Sequence, residues 1–206
     1  MSKNFSAIIF WGALWGLTEA TVGHMLHIMP VPLGWILWSP IAFYFLYKIY
    51  SVTNNKTSVL YAAGLASLIK LIDLVAPVRI DYVINPAISI LLEGLVVYLA
   101  LTVLSRYDIA KMTGFALINT CWRILYLIYV TLMPAFIRDI SPVSGLEAFL
   151  RFFVIENIIT SVIFGFYLFL LAQYRKNCGR EFVSYSMGTA LPVLILVITI
   201  CIQIIL

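Results

Sequence analysis

The sequence predicts an all-α protein, a polytopic bundle of membrane-spanning helices, and three observations carry that expectation. Hydrophobic residues make up 63% of the 206 and charged residues only 11%, against roughly 25% charge in a soluble domain. Mean hydropathy is +1.05. The apolar residues come in long runs without the alternation of a transmembrane β-barrel. No connecting stretch is long enough to fold separately, so residues 1–206 read as a single transmembrane helical domain.

Cutting the chain at turn residues and charges gives seven predicted spans: Phe5–Met29, Leu33–Tyr50, Ser58–Ala76, Pro86–Leu104, Met112–Met133, Glu147–Ala172 and Met187–Leu206. Each approaches or exceeds the roughly 20 residues that cross about 30 Å of hydrocarbon. The second is the shortest, and Pro40 interrupts it. Six spans plus a peripheral C-terminal helix is the alternative count. The N-terminal run contains Glu19 and has no small-residue cleavage site, so it reads as a first span rather than a removable signal peptide.

Orientation follows from the cations. Lys3, Lys48, Lys56, Arg106, Lys111, Arg175, Lys176 and Arg180 fall on one side of this map, and only Arg79 and Arg138 sit in loops on the other. The positive-inside rule then expects an integral protein of the cell membrane with a cytoplasmic N-terminus. The net charge of +4 is thus a topology signal and does not point to nucleic acid. Cys121, Cys178 and Cys201 lie in different segments with no CxxC, which indicates neither a disulfide framework nor a thiolate metal site. The outer connections, around Pro30-Val31-Pro32, Pro77 and Pro134 to Pro142, are proline-rich and stiff.

The chemistry lies in residues that apolar spans ordinarily exclude. Glu19, Lys70, Asp73, Glu93, Arg123, Arg151 and Glu156 all fall inside the runs. Intramembrane ionisable groups are costly unless they face protein, water or a ligand. At 1.5 Å per residue, all seven map between the midplane and the outer surface. Glu19, Gly23 and His27 follow an i, i+4, i+8 line; Asn85, Ser89 and Glu93 repeat it; Asn119 and Arg123 are four apart. Each line shares one helical face. Lys70 can pair with Asp73, and Arg151 with Glu147. Buried pairs of this kind also lock helices together, which is the structural alternative. With Asn85, Asn119 and Asn157 as neutral hydrogen-bonding partners, these residues form the candidate ligand-binding set.

His24 and His27 are three apart and can share a metal ion, with Glu19 adding a carboxylate. Their expected place at the outer interface is the competing explanation. Trp11, Trp15, Trp35, Trp38 and Trp122 can stack on a flat heterocycle or serve as interface anchors. Gly12, Gly16 and Ala20 form a small-residue line that admits a close helix neighbour, internal or from another subunit. There is no HExxH, GxSxG, paired intramembrane-protease motif or nucleotide-binding loop. No cofactor is called for, and energy for transport must come from an ion gradient or another protein.

In size, helical content, the Gly12-Gly16-Ala20 line and the segment Asn85-Pro86-Ala87-Ile88-Ser89-Ile90-Leu91-Leu92-Glu93-Gly94, the chain resembles the membrane-embedded substrate-binding (S) components of energy-coupling factor vitamin transporters. Such components usually have six helices, so a seventh span departs from the pattern. The resemblance implies an outward-facing pocket for a vitamin-like molecule and a transmembrane coupling subunit with ATPases in trans, docked on the small-residue line. The expectation is a protein that binds a small polar or zwitterionic solute for uptake. An intramembrane enzyme acting on a lipid or lipid-linked substrate, and a structural subunit of a membrane complex, are the alternatives.

Overall fold

A computed structural model describes residues 3–23, 25, 34–75, 77, 79–103, 112–134, 136–137, 141–178 and 190–205. These residues are helical almost throughout, with no strand among them. Helix α1 is Lys3–Thr18 and runs on through a π-helical turn, Glu19–Gly23. Then come α2 (Gly34–Thr53), α3 (Thr57–Leu71, with a 3-10 turn Ile72–Val75) and α4 (Asp81–Val103). Helix α5 is Met112–Leu132. Helix α6 is Leu146–Leu150, a π-helical turn Arg151–Ile155 and Glu156–Cys178; α7 is Ala190–Ile205.

Five of these helices are long and apolar enough to cross a membrane: α1, α3, α4, α5 and α6. Helix α2 has the length, at 20 residues, but carries Lys48, Pro40 and several aromatics, whose tyrosines and tryptophans dilute its hydropathy. Helix α7 has 16 residues. The chain is therefore an all-α helix bundle of membrane type.

Neighbour packs on neighbour around a closed circuit: α1 on α3, α3 on α4, α4 on α5, α5 on α6, α6 on α2 and α2 back on α1. Helix α7 lies outside it, against α1 and the 3-10 end of α3. Six helices plus a peripheral last one describe the packing better than seven equal spans. The side chains turned outward are apolar. Leu91, Leu95 and Leu99 form one exposed line on α4, and Ile155, Ile158, Ile159, Val162 and Phe166 cover α6. Apolar faces of that extent suit lipid and not water.

Small residues set the spacing of α1, α3 and α4. A Cβ on Gly94 would lie 2.4 Å from the Cβ of Ala63, so α3 and α4 touch almost backbone to backbone. A Cβ on Gly16 would come within 2.8 Å of Ile69, and one on Gly12 within 3.1 Å of the Ala62 carbonyl oxygen. The Gly12-Gly16 line is thus filled by α3 of the same chain. That corrects the expectation of a free docking face there. Dispersion in such close contacts replaces the hydrophobic drive that lipid removes. Ser67 adds an interhelical bond, its hydroxyl donating to the Ala87 carbonyl at 2.9 Å.

Proline placement differs from the sequence expectation. Pro86 does not open its helix, which begins at Asp81, and Pro40 stays within α2. Each removes one backbone donor without ending the helix, as helices packed among others in a membrane tolerate. Between α2 and α3 the chain turns at Asn54, whose φ of 48° is the left-handed conformation that Asn adopts after a helix end. Asn55 Oδ1 then accepts from the backbone N–H (3.1 Å) and hydroxyl (2.8 Å) of Thr57, tying down the first turn of α3.

Candidate functional site

The polar residues inside the bundle form three groups. The first joins α1, α3 and α7. Lys70 Nζ lies 2.8 Å from Asp73 Oδ2, the i, i+3 pair expected from the sequence. Asp73 Oδ1 accepts from the side-chain amide of Gln203 on α7. Glu19 is buried on the π-helical turn of α1, within electrostatic reach of both Lys70 and Asp73. Its carboxyl folds back over Gly23, where a Cβ would sit 3.4 Å away. One Glu19 oxygen has no hydrogen-bond partner among the described residues.

The second group lies between α5 and α6. Arg123 is wholly buried; its guanidinium donates to the Phe152 carbonyl and lies 3.5 Å from Glu156 Oε2. Phe152 and Trp122 present their rings to it at 4.6 and 5.5 Å. The other Glu156 oxygen meets Arg151, 3.4 Å away and 56% exposed. Arg151 therefore pairs with Glu156 and not with Glu147. The π-helical turn is the reason: residues five apart nearly superpose on a π-helix, whereas on an α-helix those four apart do. Asn119 Nδ2 donates to Asn157 Oδ1 at 2.6 Å, and Asn157 Nδ2 to the Thr120 hydroxyl at 2.8 Å.

The third group lines a small cavity between α2, α4 and α5. Its polar lining is Ser39, Glu93, Asn119 and Trp122, and Phe43 and Phe115 supply aromatic walls. It has room for about one ordered water. Glu93 Oε2, Asn119 Oδ1 and Trp122 Nε1 are all buried without a hydrogen-bond partner among the described residues. Buried polar atoms are ordinarily paired; seven others among the described residues also lack a partner, including Glu19 Oε2 and Arg123 Nε and Nη2, but these three belong to residues that line one cavity. Behind Phe115, Phe164 stacks at 3.9 Å and also meets Phe43 edge-on at 4.8 Å, giving the cavity a stiff aromatic backing. Glu93 also lies within electrostatic reach of Glu19, which links the cavity to the first group.

Asn85 stands apart. Its amide donates to the Ile137 carbonyl and accepts from the Tyr129 hydroxyl, each at 2.9 Å. Both ends of the group are used in clasping α4 to the end of α5. Ser39 and Phe43 are cavity residues that the sequence did not single out. A hydroxyl and a ring on an aromatic helix carry no signal until α2 is known to face Glu93.

His24 and His27 lie outside the described residues. Among the described residues no three His, Cys, Asp or Glu side chains gather to hold a metal. Outside the membrane-spanning helices, Arg79 makes a two-pronged bond to Asp81, at 3.1 and 2.7 Å, and lies over the Tyr82 ring. The Asp81 carboxylate raises the already high pKa of this exposed guanidinium. The pair caps the start of α4.

Fold and site together define a class: a helical membrane bundle with a polar, partly unsatisfied core. Searched against protein-family models, curated proteins and solved structures, the chain matches none.

Proposed function

We propose that the protein binds a small polar or zwitterionic, vitamin-like solute within the membrane and serves its uptake. One observation carries this reading: Glu93, Asn119 and Trp122 line one cavity, and each has a buried polar atom without a hydrogen-bond partner among the described residues. A carboxylate, an amide oxygen and an indole N–H held among aromatic rings make a poor scaffold and a good receptor, since unmet hydrogen bonds in a buried site cost the empty state more than the filled one. Both π-helical turns carry or adjoin ionisable groups of the core, Glu19 on one and Arg151 beside Glu156 on the other. Such turns are often found where helices do chemical work. In the cell membrane, with the N-terminus in the cytoplasm as the cation distribution suggests, the site opens outward as the bundle loosens.

The solute needs a driving force from elsewhere. An energy-coupling partner with ATPases in trans, of the kind the resemblance implies, remains the favoured source. Its docking surface must be one other than the Gly12-Gly16 face, which α3 fills.

Native mass spectrometry of protein purified from its own membranes tests binding. The expected result is a retained small molecule that is lost from Glu93→Gln. In liposomes the lone protein should bind that molecule from outside without accumulating it. Retention of nothing by the folded wild-type protein would remove the proposal. Accumulation driven by a proton gradient alone would make the chain a secondary transporter.

A further inference from the structure

Resting on the reading that the cavity between α2, α4 and α5 is a solute site, we infer that the solute is a small amine or other nitrogen cation, held with its positive end at Glu93 and an acceptor atom beside the charge.

The arrangement of charge points that way. Charges that look mixed along the sequence are sorted in space. Arg123 and Arg151 both lie against Glu156, across the α5–α6 interface. Lys70 lies against Asp73. That leaves Glu19 and Glu93, buried, each with an oxygen lacking a partner among the described residues, and close enough for their charges to interact. With Asp73 and Lys70 they make a group of three carboxylates and one ammonium among the described residues. An isolated buried carboxylate is strongly disfavoured unless it takes up a proton or meets a well-placed cation.

The lining agrees with the charge. Asn119, a lining residue, commits its amide N–H to Asn157, which leaves its oxygen as an acceptor without a partner among the described residues. Two acceptors, Glu93 Oε2 and Asn119 Oδ1, call for a ligand with at least two N–H donors. The Phe43 and Phe115 rings line the same space and attract cations through their faces. Trp122 Nε1, an unpartnered donor of the lining among the described residues, calls for an acceptor on the ligand. Arg123 does not line the cavity.

Benzylamine, benzyl alcohol and benzoate share a ring and differ in charge, and aminomethylpyridine adds an acceptor to the amine. Binding to the full-length protein in detergent would be followed by thermal shift. Benzylamine should bind, the alcohol and benzoate should not, and aminomethylpyridine should bind more tightly than benzylamine. Glu93→Gln should weaken both amines by about tenfold or more, the loss of a charge-assisted bond. Trp122→Phe should erase the advantage of the pyridine and leave benzylamine binding in place. Should Glu93→Gln fail to fold, the charge preference of the wild type and the Trp122→Phe comparison still decide. Preference for benzoate, or unchanged amine affinity in Glu93→Gln, overturns the inference. If a molecule is nevertheless retained through purification, solute binding stands and only the charge assignment falls; with no retained molecule and no probe bound, both fall.

Discussion

Arg123 and Arg151 are the same residue type in two different physical situations, and their replacement separates them. Arg123 has no exposed surface, and Glu156 is the only carboxylate paired with it among the described residues. Removing one member of a buried pair strands the other charge, at a cost of about 3–5 kcal/mol. Glu156→Gln should therefore lower stability by about that amount in denaturant titrations in mixed micelles. Arg151 is largely solvated and can relax away. Arg151→Gln should cost about 1 kcal/mol or less, as surface pairs do. Equal losses in both variants would mean that Arg151 is as buried in the membrane as Arg123 is in the bundle. At this scale the sequence was partly legible. Spacing found Lys70–Asp73 because residues three apart share a face even where the helix tightens to 3-10 from Ile72, but it mispaired Arg151 because no local pattern announces a π-helical turn.

For elements, the close approaches of α3 carry the prediction. Gly94 and Gly16 sit where α3 meets α4 and α1, with no room for a side chain. Gly94→Ala places a methyl 2.4 Å from Ala63, so the helices must part. Overpacking of this kind costs about 1–3 kcal/mol, readable as a lowered thermal midpoint in detergent. Gly64 has open space around its Cβ position, so Gly64→Ala is the matched control and should leave the midpoint unchanged or raise it. Gly16→Leu should destabilise the isolated protein too, because its neighbour is Ile69 of the same chain. A fully stable Gly16→Leu variant would mean that the face is free after all. The small-residue line was visible in the sequence. Its partner was not, because small-xxx-small specifies closeness and leaves open which helix comes close.

The whole molecule raises the question of how the bundle sits in the membrane. Single cysteines at Asn54 and Ser141, introduced after removal of Cys121, Cys178 and Cys201, report on the two sides. In intact cells an impermeant thiol reagent should label Ser141 and spare Asn54. The reverse pattern would place the outer half of the site toward the cytoplasm and end the uptake argument. Helix α7 belongs to this scale as well. It is held by Gln203 on Asp73 and by the Thr199 hydroxyl, 3.2 Å from the Ala13 carbonyl. Truncation before Ala190 should loosen the Glu19 group while leaving the six-helix circuit assembled.

The sequence by itself determined the class of molecule and the cast of its core. Hydrophobic run length and the exclusion of charge from lipid depend only on composition along the chain, so the helices and Glu19, Lys70, Asp73, Glu93, Arg123 and Glu156 could be read directly. Only the tertiary structure decided how these residues divide. It assigned Asn85 to a structural clasp, paired both arginines with Glu156, filled the glycine line from within, and left Glu93, Asn119 and Trp122 lining one cavity. The physical reason is that pairing depends on distance between helices, and a one-dimensional pattern encodes only the face each residue occupies on its own helix.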